Sequence, residues 1–168
     1  MRIPLPFLLL ALFATGTNAQ PVLNFPTNAP APGDSYTLHH SPYVDPGSAG
    51  ANQSWDLSAL TSDSTVQIQY VTPESTENGA SFPGATIVET GAGAITYFRS
   101  ASDGMYFVGS DADGLVIFNS DEGKYLPFPC TYQSAWTDQS EAQLASEGSS
   151  DHRHSIITGM GESYGSVK

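Results

Sequence analysis

The chain predicts an antiparallel β-protein, a sandwich or a meander, and three observations lead there. Val66-Gln67-Ile68-Gln69-Tyr70 alternates apolar and polar residues, the pattern of a strand that buries one face and wets the other. Between Ile95 and Phe128, apolar runs recur at intervals of about ten residues, separated by Asp-Gly turn signals. Gly 16 and Pro 12, with abundant Ser, Thr and Asn, favour many turns over long helices. At 39% hydrophobic and only 13% charged, the chain has the apolar content a core requires, and 168 residues fit one domain.

The first nineteen residues read differently from the rest. Arg2, the apolar stretch from Leu5 to Ala14 and the small residues Thr17-Asn18-Ala19 before Gln20 have the layout of a secretory signal peptide over 1–19. The apolar stretch is about half the ~20 residues a membrane span needs, and Pro4 and Pro6 would disturb a membrane helix. The expectation is a secreted or cell-surface protein with no transmembrane segment after cleavage. Cys130, the only cysteine, lies far from the cleavage site, which excludes lipid attachment there. A lone thiol also excludes an internal disulfide, so Cys130 is expected as a small buried apolar residue.

Cleavage leaves four basic residues, Arg99, Lys124, Arg153 and Lys168, against 17 acidic ones, a net charge of −13. Such a surface repels phosphate, which argues against nucleic-acid binding and against docking on anionic lipid.

Residues 20–46 form a proline-rich arm, with prolines at 21, 26, 30, 32, 42 and 46. Proline cannot donate to a sheet ladder, so an extended arm or an edge is expected, with one short strand where Tyr36 and Leu38 alternate with Thr37 and His39. Residues 47–168 form the antiparallel β domain. Within it Trp55 and Leu57 share a face, with Trp55 expected as a core anchor. The runs Ile95 to Phe98, Met105 to Val108 and Leu115 to Phe118 are joined by turns at Ser102-Asp103-Gly104 and Asp111-Ala112-Asp113-Gly114. A further turn is expected at Ser120-Asp121-Glu122-Gly123. Expected core residues are Val66, Ile68, Tyr70, Ile95, Tyr97, Phe107, Val116 and Phe118. Residues 137–150 read two ways: Asp138 with Glu141 resembles a helix capping box, and an irregular strand competes. His154 to Thr158 and Tyr164 to Lys168 read as two strands joined by a turn at Gly159 to Gly161. The second has turn punctuation before it and none after it. It is therefore expected to be incomplete, with an unpaired edge that makes the chain marginal or associating until it is extended.

Three segments carry a resemblance: Pro46-Gly47-Ser48-Ala49-Gly50-Ala51-Asn52-Gln53-Ser54-Trp55-Asp56-Leu57-Ser58, Leu126-Pro127-Phe128-Pro129-Cys130-Thr131-Tyr132, and Tyr164-Gly165-Ser166-Val167. Together they resemble the N-terminal β-rich module of exported proteins of gliding bacteria that use type IX secretion. Gln133 stands where a glycine would be usual, and the C-terminal sorting domain is absent. The resemblance rests on packing and turn motifs, and it implies a module without assigned activity.

Four sets of residues are candidates for chemistry. Gly161-Glu162-Ser163-Tyr164-Gly165 matches G-x-S-x-G, in which a strand-turn-helix elbow exposes a nucleophilic serine. Only five residues follow Ser163, so neither the helix nor the downstream Asp and His can follow, and a hairpin turn is the better reading. Asp111, Asp113, Asp121 and Glu122 lie in neighbouring expected turns and offer hard oxygen ligands for calcium, although aspartate is common in turns for conformational reasons. His152 and His154 would share one face of a strand, as some zinc sites require, with one of His39 and His40 and a carboxylate to complete the set. Tyr97, Tyr106, Tyr125 and Tyr132 could form a sugar-stacking strip, with core packing as the alternative. No cofactor beyond calcium is indicated. The expected function is that of an exported, non-catalytic β-module contacting an extracellular glycan or protein in adhesion or matrix. The alternative is a secreted hydrolase built on Ser163 or the turn carboxylates.

Overall fold

The computed structural model describes residues 20–113, 115–146 and 149–167, so the expected signal peptide lies outside the described residues. The first strands are β1 (Val22–Leu23), β2 (Ser35–His40), β3 (Gln53–Trp55) and β4 (Ser64–Val71). The central ones are β5 (Ile87–Thr90), β6 (Ile95–Ala101), β7 (Gly104–Ala112) and β8 (Leu115–Pro127). The last are β9 (Cys130–Thr131), β10 (Ala135–Ser146), β11 (Ser149–Met160) and β12 (Gly165–Val167). Eight of them form one antiparallel sheet in the order β11-β10-β8-β7-β6-β5-β4-β2. Spatial neighbours are therefore chain neighbours, with β3 and β9 diverted into two-stranded pairs with β12 and β1. The eight-stranded sheet is an antiparallel meander, accompanied by two small two-stranded sheets.

The punctuation that predicted the meander works as turn chemistry requires. Ala101 pairs with Gly104 and Ala112 with Leu115, so each hairpin has a two-residue loop, and Asp113 takes a φ of 49°, the left-handed conformation such loops demand. The proline-rich arm supplies β1 and the edge strand β2, whose short, fully exposed run lies between Pro32 and Pro42.

Both faces of the central strands are apolar, each beneath an irregular segment. On one face Val88, Tyr97 and Val108 lie under Phe82, from the long β4–β5 connection, with Ile95, Val116 and Phe118 packed alongside. That connection carries two short 3-10 turns, Pro73–Ser75 and Gly79–Ser81. On the other face Ile87, Phe98 and Met105 pack with Phe128, flanked by Ala29 from the arm and by Tyr70 and Phe107. Of the expected core residues, Ile68 and Tyr97 are fully buried and the rest half-buried. Trp55, expected as an anchor, is half-buried in β3 outside both clusters, because β3 leaves the main sheet. Cys130 is buried, as a small apolar residue should be.

Two sequence readings are corrected, and one left open between helix and strand is decided for the strand. Ser120-Asp121-Glu122-Gly123 is not a turn but the middle of β8. Gly123 serves a close approach there: a Cβ would collide with Ile157 Cδ1 across the sheet. Residues 135–146 are strand, so Asp138 caps no helix. Its Oδ2 instead accepts the Lys124 backbone N–H at 2.6 Å, where β8 and β10 part beyond the Asp121–Glu141 pair. The second correction is that β11 and β12 do not form a hairpin. β11 pairs with β10, and β12 crosses to lie parallel to β3, so the strand expected to be unpaired at the C-terminus has a partner.

The phenol of Tyr70 donates to Glu89 Oε2 at 2.6 Å, and burial followed by that carboxylate pushes its pKa well above the usual tyrosine value. Below about pH 10 both folded and unfolded chains keep the proton; above it the unfolded chain ionises first, so stability is lost as pH rises. Urea midpoints should therefore fall more steeply between about pH 9 and pH 11 in the native chain than in Tyr70→Phe.

Candidate functional site

The sheet does not gather the sequence candidates into one place. Asp111 Oδ2 accepts the Asn78 side-chain amide at 2.5 Å, which ties the β7–β8 hairpin end to the β4–β5 connection, and Asp113 lies in the hairpin loop itself. Asp121 is exposed on β8 opposite Glu141, several residues along the strand from that loop, and Glu122 pairs with Arg99. The expected calcium donors are thus divided between a hairpin tip and a mid-strand position, because Ser120–Gly123 is strand rather than a second loop. His152 and His154 do share a face of β11, with His154 Nδ1 3.3 Å from Glu141 Oε1, whereas His39 and His40 lie on β2 at the opposite edge of the sheet. Among the described residues no three His, Cys, Asp or Glu side chains are grouped to hold a metal ion.

Ser163 is held by a contact 113 residues away in sequence: its Oγ accepts the Gly50 N–H at 2.9 Å. Two backbone bonds flank it, Tyr164 N–H to the Gly50 carbonyl at 3.1 Å and Gln53 N–H to the Tyr164 carbonyl at 2.9 Å. The serine belongs neither to an elbow nor to a hairpin turn. It staples the segment leading into β12 onto the loop that leads into β3, and Tyr132 packs edge-on against Tyr164 beside it at 5.5 Å. The tyrosines form no strip: Tyr97 stacks on Phe82 in the core at 3.8 Å, Tyr106 is buried, and Tyr125 is exposed with its ring centroid 5.7 Å from that of Phe98.

The densest charged cluster is one that the sequence reading did not nominate. Arg99 on β6, Tyr106 on β7, Glu122 and Lys124 on β8 and Asp138 on β10 line an open groove of about 500 Å³, with Ser120 and Asp121 at its side. Arg99 Nε donates to Glu122 Oε2 at 2.6 Å, while the guanidinium lies over the Tyr106 ring 3.9 Å from its centroid. Lys124 Nζ stands 5.2 Å from the same ring, and the Tyr106 hydroxyl donates to Asp103 Oδ2 at 2.8 Å. Burial opposes the Arg99 charge, but Glu122 and Tyr106 outweigh it and raise its pKa. Lys124 is raised, chiefly by its bond with Tyr106, and the Tyr106 hydroxyl lowers Asp103. Arg99, Lys124 and Asp103 are thus each favoured in their charged forms, and the bonds of the cluster run among its own members, so it ties β6, β7 and β8 together on the exposed side of the core. Its signal in the sequence is Glu122 and Lys124 two apart on one strand face, in a chain with very few cations. No family model, no curated protein and no solved structure matches the chain.

Proposed function

We propose that the chain is an exported, non-catalytic β-module of a secreted or cell-surface protein, acting in adhesion, matrix or ligand contact. The observation that carries this reading is the place of Ser163, whose Oγ accepts a long-range backbone bond from Gly50 and so joins the loops leading into β3 and β12. The acids follow the same pattern, with Asp111 bound to Asn78, Glu122 to Arg99 and Asp138 to a backbone N–H. Export is supported by the layout of Arg2, Leu5 to Ala14 and Thr17-Asn18-Ala19, and a type IX route by the resemblance of three segments to modules of gliding bacteria. The acidic surface favours a neutral glycan or a protein over a polyanion as the contacted ligand.

A panel of ester, peptide and glycan substrates tests the reading against a secreted hydrolase. The expected result is no turnover above buffer, and a Ser163→Ala variant that differs from the native chain only in stability. Loss of the Gly50 bond should cost about 1 kcal/mol, a fall of roughly 3 °C in melting temperature. Turnover that disappears in Ser163→Ala would overturn the proposal.

A further inference from the structure

Both ends of the eight-stranded sheet are edges, and they are built differently. β2 is six residues long and is bracketed by Pro32 and Pro42, the kind of short, proline-flanked strand that discourages further pairing. β11 has none of these protections. It runs for 12 residues, pairs with β10 from Ser149 to Met160 without a register shift, and holds neither proline nor lysine. Among the described residues no strand lies beyond it in the sheet order. A long, straight, unbulged edge of this kind presents a row of backbone donors and acceptors to whatever strand can lie beside it.

The charge pattern of β11 identifies that strand. In a chain of net charge −13 after cleavage, two copies repel over most of their surfaces. Ser149–Ser155 is an exception: it holds one acid, Asp151, and one of the few cations, Arg153, with His152 between them. Asp151 and Arg153 flank His152 and share a strand face. An antiparallel partner related by a two-fold axis through His152 therefore sets Asp151 opposite Arg153 of the second copy, and Arg153 opposite its Asp151. Directly opposed residues of an antiparallel pair lie within about 5.5 Å at Cβ, close enough for both ion pairs. Shifting the register by two residues loses both pairs. We propose that the outer edge of β11 is a self-pairing surface, on which a second copy of this chain docks antiparallel about His152 to make one sheet of two meanders. A seven-residue edge is small beside a standard interface, so the dimer is a micromolar one.

Sedimentation velocity of the purified protein across about 1–200 μM tests this, with the range set by the affinity expected of so small an edge. The expected result is a reversible monomer–dimer equilibrium. Arg153→Asp, which opposes two pairs of carboxylates, should weaken it about tenfold or more. The charge swap Asp151→Arg with Arg153→Asp should restore it to near the native value. Both side chains are exposed, so circular dichroism of each variant should match the native chain. Under mild oxidation His152→Cys should form a disulfide-linked dimer, and Thr158→Cys should not. A monomer throughout the range, a dimer indifferent to Arg153→Asp, or cross-linking through Thr158→Cys instead of His152→Cys would each overturn the proposal.

Discussion

Replacing Tyr97 with alanine should cost about 3–5 kcal/mol, a large share of the net stability of a single domain. Tyr97 is wholly buried on β6, where its ring stacks on Phe82 at 3.8 Å and its hydroxyl lies 3.0 Å from Thr76 Oγ1. The ring thus holds the irregular β4–β5 connection down on the sheet by apolar contact and by one hydrogen bond. Alanine would open a cavity beneath Phe82 and leave Thr76 without that contact. Tyr97→Phe separates the two effects: it keeps the stack, loses the hydroxyl contact, and should cost about 1 kcal/mol. Urea unfolding of both variants measures this. Equal losses in the two would show that the hydrogen bond, not the stacked ring, secures the connection.

Gly109→Ala should be nearly as damaging, at about 3 kcal/mol, although it adds a single methyl group. Gly109 lies in β7 opposite Phe118, near the register shift between Phe107 and Gly109. A Cβ there would collide with the Ile117 carbonyl oxygen and with the edge of the Phe82 ring. Neither neighbour can retreat freely, since one is backbone in β8 and the other is pinned by the Tyr97 stack. The measured loss should shrink when Gly109→Ala is combined with Phe82→Leu, which clears part of the space. Strict additivity of the two changes would show that the ring is not what excludes the methyl group.

The centre of the sheet was legible because its information is local. Period-two alternation gave β4, and Asp-Gly pairs gave the hairpins on either side of β7, since residue conformation alone decides both. The last third of the chain was not legible for the same reason. β10 holds few apolar residues, and Asp138 with Glu141 mimics a capping box; the carboxylate does accept a backbone N–H, but across the sheet from Lys124 rather than along a helix. Gly123 read as a turn glycine, whereas its place is fixed by Ile157 on a strand two positions away in the sheet. Ser163 read as a turn residue because its partner, Gly50, is 113 residues distant. The ion cluster around Tyr106 escaped the sequence reading because its members come from four strands, β6, β7, β8 and β10, and only the register sets them side by side.

Ser163, which matches a hydrolase motif in sequence, serves the architecture, because its Oγ joins two distant loops through the Gly50 N–H. A fluorophosphonate probe tests it most directly, because such reagents form covalent adducts with activated serines and spare hydroxyls without a general base. Incubation of the native protein with excess probe, followed by intact-mass measurement, should leave the mass unchanged, with Ser163→Ala behaving identically. A one-to-one adduct that maps to Ser163 and is absent from Ser163→Ala would contradict the account.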